Sequence, residues 1–266
     1  MEVDLQNLVR RTRGGVFNVC ALDPQTNRLL ASGSGFWCRG YFITNHHVMN
    51  VPAGTNIWLR REGDADPLNS GTVFTYSDWL SRIVTTSDEH SYDYAIMDCP
   101  ELSNLAAIHS FELIDPETLS IGAPIALMGY PLEHQNFTIH SGIISSFYKK
   151  RTTRIVQVDA SVNSGNSGGP LLDPLTGSVI GLVSRKATGL SAAFDQLRSV
   201  LGKNAAALQG QGGIFMNGID SFKILSESYR STLDLTYEIE RQANVGIGYA
   251  MSAKHLLDEG CLQTSV

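Results

Sequence analysis

The sequence predicts an all-β protein carrying one helical insertion, and three observations lead to that class. Short β-type apolar runs punctuated by Gly, Asn and Pro recur from Gly15 to about residue 185. No helix-periodic stretch separates them, which favours an antiparallel barrel or sandwich over alternating βα units. Between 187 and 243 the period changes to that of amphipathic helices.

Taken in order, residues 1–13 are a candidate short helix, with Leu5, Leu8 and Val9 apolar and Arg10, Arg11 and Arg13 solvated. The strand candidates follow as Val16–Cys20, Gly35–Cys38, Tyr41–Thr44, Asn56–Leu59, Tyr94–Met97, Pro124–Met128, Ile155–Val158 and Ser178–Val183. In the insertion, Phe194, Leu197, Val200 and Leu201 recur at helical spacing before a glycine-rich break at Gly210–Gly213. A second helix opens near Asp220 or Ser221, either of which suits a cap, and carries Ile224, Leu225, Tyr229, Leu233 and Tyr237. Strand-like sequence returns at Val245–Met251.

The 266 residues, 42% hydrophobic and 17% charged, suffice for two small domains or for one all-β unit built from two barrels. Against 26 acidic residues stand 20 Lys and Arg, a net charge of −6. That balance gives no electrostatic case for nucleic acid or an anionic membrane, and neither is expected as a partner. No stretch is long and apolar enough to span a bilayer. Met1–Gln6 lacks a basic segment followed by an apolar run, so no secretory signal is expected. Four scattered cysteines (Cys20, Cys38, Cys99, Cys261) then read as reduced thiols of a cytoplasmic protein.

Three segments carry chemistry. In Gly165-Asn166-Ser167-Gly168-Gly169-Pro170 the flanking glycines let the backbone turn tightly, so the N–H groups of Gly165 and Ser167 can point at one spot. A serine attacks a carbonyl only when a base takes its proton and donors of that kind stabilise the oxyanion. His46-His47 follows the run at Tyr41–Thr44, and a histidine at a strand end suits a general base. Asp93 stands immediately before the Tyr94–Met97 run, where it can be buried against an imidazole and fix its tautomer; Asp88 and Asp98 compete for that role. No His-Glu-x-x-His and no cysteine ligand set accompanies the histidines, so no metal is expected. The order His, Asp, Ser matches the chymotrypsin arrangement and differs from subtilisins and α/β-hydrolases.

Here the chain resembles a trypsin-fold serine protease of the HtrA/DegP family. The matching segments are Gly33–Phe36, Ile43–Val48, Asp93–Ile96, Ser120–Gly122, Met128–Pro131, Gly142–Ser145, Gln157–Leu172, Val179–Gly181 and Gly246–Ala250. The resemblance implies a chymotrypsin/trypsin-like double antiparallel β-barrel forming one peptidase domain over 1–266, with the helical insertion near the active site. The first barrel would cover about 15–115, the second about 116–185 and 245–255. It selects His47 over His46 as general base, with Asp93 as its orienting acid and Ser167 as nucleophile. It puts His47 and Asp93 on the first barrel and Ser167 on the second. The mechanism needs no cofactor, and the partner expected is a protein or peptide substrate.

The departures are as informative. Only 15 residues follow Met251, so no PDZ domain is expected. No targeting segment is expected, and the loop after Val179–Val183, short in the family, holds the whole insertion. The family's sensor loop is shortened to Lys149–Arg154. The specificity pocket would be lined by Ser161, Val162, Ser184 and Arg185. Ser161, six before the nucleophile, is not an acid, so cleavage after Arg or Lys is not expected. Val162 and the resemblance favour a small or medium aliphatic residue, while Arg185 and Lys186 would favour acidic substrates nearby. The insertion reads as a lid or docking element, and latency until an activating partner binds is one expectation; the oligomeric state stays open. Two alternatives stand: a catalytically silent, partner-binding relative, and an α/β-hydrolase esterase built from Ser167, Asp234 and His255. Pro170 argues against the latter, because that fold's nucleophile opens a helix.

Overall fold

The structure, a computed structural model, describes residues 3–62, 71–131, 136–184, 189–208, 215–216, 219–242 and 246–263. Helix α1 (Leu5–Thr12) is capped by the Asp4 carboxylate on the Asn7 N–H and buries Leu8. A seven-stranded antiparallel sheet follows. Its strands are β1 (Val16–Leu22), β2 (Leu29–Cys38) and β3 (Tyr41–Thr44), then, after the one-turn helix α2 (His46–Met49), β4 (Asn56–Arg60) and β5 (Thr72–Thr75). Helix α3 (Tyr76–Ser81) leads to β6 (Ile83–Ser87) and β7 (Tyr94–Met97). The spatial order is β5-β4-β1-β2-β3-β7-β6, leaving β5 and β6 as the edges. Phe17, Phe42, Ile57, Leu59 and Trp79 fill its concave core, and the Trp79 indole N–H donates to the Met49 carbonyl at 3.0 Å.

The second sheet closes. Its strands are β8 (Pro124–Gly129), β9 (Thr138–Lys150), β10 (Thr153–Asp159), β11 (Pro170–Leu172), β12 (Val179–Val183) and, after the insertion, one more at Ile247–Ser252. They form a six-stranded barrel around Ile125, Leu127, Ile144, Val158, Leu171 and Ile180. The segment Lys149–Arg154 is a tight β9–β10 hairpin turned at Arg151, whose φ is +56°. A third cluster, with Val16, Phe36, Ile43 and Ile96 from the first sheet and Met128, Leu172, Val179 and Leu182 from the second, packs the two sheets together.

The insertion holds α4 (Gly189–Leu208), the short strands β13 (Phe215–Met216) and β14 (Ile219–Asp220), and α5 (Ser221–Gln242). The strand at Ile247–Ser252 is therefore β15, and α6 (Lys254–Leu257) follows it. Asp220 is the cap, accepting from the Phe222 and Lys223 N–H groups at 3.0 and 3.2 Å. Within the insertion, the Arg198 guanidinium reaches from α4 to the Thr236 hydroxyl and carbonyl on α5. Gly210–Gly213 lie outside the described residues. By its internal contacts the chain divides into two compact units, Met1–Arg185 with Gly246–Val266, and Lys186–Val245. Among the described residues no helix is long and apolar enough to cross a membrane.

Candidate active site

Strand β3 ends at Thr44, and the chain turns through Asn45 into the single turn α2, which carries both histidines. Successive residues on a helix point about 100° apart, so only one ring can face a given neighbour. His47 faces Asp93: its Nδ1 lies 3.0 and 3.1 Å from the two carboxylate oxygens, and its N–H donates to Oδ1 at 3.3 Å. The His46 ring turns elsewhere, its Nδ1 2.7 Å from the Thr86 hydroxyl.

Asp93 sits just before β7 in the left-handed region, at φ +52°, and only 1% of it is exposed. Aspartate tolerates that conformation better than most residues, and the Asn45 side-chain amide secures it by donating to the Asp93 carbonyl at 2.7 Å. The Ser184 hydroxyl, buried at the end of β12, donates to Asp93 Oδ2 at 2.7 Å. Burial pushes the Asp93 carboxyl up, but the donors on His47 and Ser184 outweigh it and hold the group below its ordinary value. An ionised carboxylate on Nδ1 selects the tautomer protonated there and leaves Nε2 with its lone pair. The competing acids are exposed: Asp88 supplies a turn, accepting from the Ser91 and Asp93 N–H groups through its carbonyl, and Asp98 faces solvent.

The serine segment lies in the same corner. Ser167 is 5% exposed and its carbonyl accepts the Ser34 N–H of β2 at 2.7 Å. The next residue, Gly168, donates to the Val183 carbonyl at 2.8 Å, directly beside Ser184. Its φ is +85°, and a Cβ there would lie 2.1 Å from the Ser34 carbonyl oxygen and 2.4 Å from the Thr44 hydroxyl, so only glycine fits. Gly165, at φ +94°, completes the tight turn, with its carbonyl accepting the Ser34 hydroxyl at 2.6 Å. Asn166 is fully buried, and its side-chain amide has no hydrogen-bond partner among the described residues.

The pocket residues separate. Val162 is buried in the second-barrel core, its Cγ2 occupying the space that any side chain at Gly248 would need. Ser161 is exposed, and Arg185 lies outside the described residues. Ser184, expected on the pocket wall, carries the Asp93 bond that sequence reasoning missed. The esterase reading does not fit the local fold: Ser167 leads into β11 rather than a helix, and His255 stacks on Tyr92 at 3.9 Å while its Nε2 accepts the Arg154 N–H at 3.0 Å.

A closed barrel packed on an open sheet, with a histidine bonded to a buried aspartate and a glycine-flanked serine turn anchored beside them, has the architecture of the two-barrel class. The chain belongs to the family of trypsin-like peptidase domains, whose family model matches residues 32–182, more than half of it. It is 32% identical over 201 residues to the mitochondrial serine protease HTRA2 of Drosophila virilis, covering 71% of this chain and 43% of that protein. It is 29% identical over 182 residues to the chloroplastic Protease Do-like 5 of Arabidopsis thaliana, covering 64% of this chain and 54% of that one. A serine protease DegP homolog of Plasmodium falciparum is 30% identical over 158 residues, covering 57% of this chain and 16% of its own length. The chain thus spans about half or less of these relatives. Among solved structures, the HtrA-type protease AlgW with tripeptide has a TM-score of 0.57 at 20% identity, covering 96% of this chain and 62% of that one. The Rv3671c protease from M. tuberculosis has a TM-score of 0.51 at 23% identity, covering 68% and 74%. These two neighbours share the fold.

Proposed function

We propose that Ser167 is the nucleophile of a serine endopeptidase, His47 its general base and Asp93 the residue that orients the base. The observation that carries this reading is the buried Asp93 carboxylate held between His47 Nδ1 and the Ser184 hydroxyl. Ser167 Oγ adds to the scissile carbonyl while His47 Nε2 takes its proton, and the N–H groups of Gly165 and Ser167 receive the oxyanion. The His47 proton then passes to the leaving amine, and water repeats the sequence to release the acyl group. Digestion of unfolded casein tests it: wild-type protein degrades casein, and Ser167→Ala, His47→Ala and Asp93→Ala each abolish the activity. Casein cut equally well by Ser167→Ala would end the proposal.

The residue before the scissile bond is a small or medium aliphatic one. Support comes from Val162, which occupies the barrel interior over Gly248, and from Ser161, which offers no acid for a basic side chain. Profiling on a peptide library checks this, and enrichment of Arg or Lys before the cut would contradict it. Latency and an activating protein partner are part of the proposal, since the chain runs from Ser184, the Asp93 partner, into the insertion within a few residues. Replacing 187–243 by a short Gly-Ser loop changes protein-substrate kinetics on this reading. A cytoplasmic location is supported by four cysteines that are all free.

A further inference from the structure

We infer that Ser34 is a positioning residue for the oxyanion donors, a role resting on the reading of Ser167 as nucleophile. Ser34 lies in β2 of the first sheet and is fully buried. Its hydroxyl donates to the Gly165 carbonyl at 2.6 Å and accepts the Tyr130 N–H at 2.9 Å, just beyond β8 of the second barrel. Its own N–H donates to the Ser167 carbonyl at 2.7 Å. The Thr44 hydroxyl, donating to the Ser34 carbonyl at 2.7 Å, holds Ser34 in turn. One residue therefore binds the loop at two carbonyls, those of the residues whose N–H groups must converge on one oxygen.

The peptide planes explain the consequence. The Gly165–Asn166 plane is fixed at both ends, by Ser34 on its carbonyl and by the Asn163 carbonyl on its N–H at 3.0 Å. The Ser167–Gly168 plane is likewise fixed, by the Ser34 and Val183 main chains. The Ser167 N–H belongs to the plane between these two, whose Asn166 carbonyl accepts the Gly169 N–H at 3.0 Å, so that bond and the two flanking planes together set its direction. Gly165 has no side chain to restrict its dihedrals, and its φ of +94° is one of many values open to glycine. Fixing its carbonyl restricts the rotation that would swing its N–H away. The buried Asn166 side chain, within the loop itself, makes no hydrogen bond among the described residues and so does not hold the Gly165 carbonyl, which the Ser34 hydroxyl does.

Removal of a whole oxyanion donor lowers kcat by about 10²–10³-fold, so partial misalignment is expected to fall below that range. Ser34→Ala should lower kcat on a peptide ester by about ten- to hundredfold with KM within about twofold. A peptide boronate, which mimics the tetrahedral oxyanion, should lose affinity by a similar factor while a product peptide does not. Ser34→Thr, which keeps the hydroxyl, should recover kcat to within about threefold of wild type. If Ser34→Ala does not fold, Ser34→Cys, with a weaker donor of similar size, should give an intermediate loss of kcat. Amide hydrogen exchange across 163–168 reads the same device without turnover: in Ser34→Ala, or in Ser34→Cys if Ala does not fold, it should quicken at least about tenfold, with β3 unchanged. An active wild type with kcat unchanged in these variants, or unchanged exchange across 163–168, overturns the role of Ser34. A wild type without turnover defeats the assignment of Ser167, and the exchange result then decides the role of Ser34 by itself.

Discussion

Ser184 and His47 share one oxygen of Asp93: the Ser184 hydroxyl donates to Oδ2 at 2.7 Å and His47 Nδ1 lies 3.0 Å from the same atom. The serine stands just past β12 of the second barrel and the histidine on α2, which follows β3 of the first sheet, so the carboxylate is set by both halves of the fold. A hydrogen bond to a buried charge is worth about 1.5–3 kcal/mol. Ser184→Ala should therefore lower stability by about that amount and kcat/KM by about tenfold or more, measured by denaturant unfolding and ester hydrolysis. Asp93→Asn, which presents the wrong partner to Nδ1, should lower kcat by about 10⁴-fold with little change in fold.

The same carboxylate sets an acid limit. Because its folded pKa is lowered, it contributes stability that is fully present above the ordinary aspartate value and is lost as pH falls through the folded one. Removing the Ser184 donor raises the folded pKa. The stability gap between wild type and Ser184→Ala should thus be widest near neutral pH and narrow below about pH 4. Urea titrations across that range measure it, and a pH-independent gap would contradict the assignment.

Gly168 predicts a steric failure. Its positive φ and the 2.1 Å approach to the Ser34 carbonyl involve backbone that cannot step aside. Gly168→Ala should cost about 3 kcal/mol or more, lowering Tm by roughly 6–12 °C and removing activity.

The cysteines predict slow chemistry. Burial pushes the Cys38 and Cys99 thiols up to about 12, and Cys261 is the one of the four that is only half-buried. In native protein at pH 8, iodoacetamide should modify Cys261 first and reach Cys38 and Cys99 only on unfolding, as followed by peptide mass spectrometry.

Specificity gives a further expectation from the proposed pocket. Val162→Ala vacates space above Gly248, and each methylene of fit is worth about 1–3 kcal/mol. The preferred residue before the cut should shift toward Leu, Met or Phe in library profiling.

Much of this was legible before any coordinates. Val16–Cys20, Tyr41–Thr44 and Tyr94–Met97 are dominated by apolar residues because they are buried on both faces, and His47 and Asp93 stand at the ends of two of them. Ser167 announced itself through glycines that its turn requires. Strands β5 and β6 escape the sequence reading: they are edges on which half-buried Thr72 and Thr85 alternate with exposed Val73 and Thr86, and edges leave no apolar run. The Ser184 bond joins residues 91 positions apart, and that of Ser34 to Gly165 spans 131, so no local pattern signals either. A hydroxyl's role is set by what the fold brings opposite it.

The central claim, that Ser167 is the nucleophile, is tested most directly by reacting the purified protein with a fluorophosphonate probe and locating the adduct by mass spectrometry. The account predicts one adduct, on Ser167, that is absent in Ser167→Ala and strongly slowed in His47→Ala. An adduct on another serine, or labelling indifferent to His47, would contradict it.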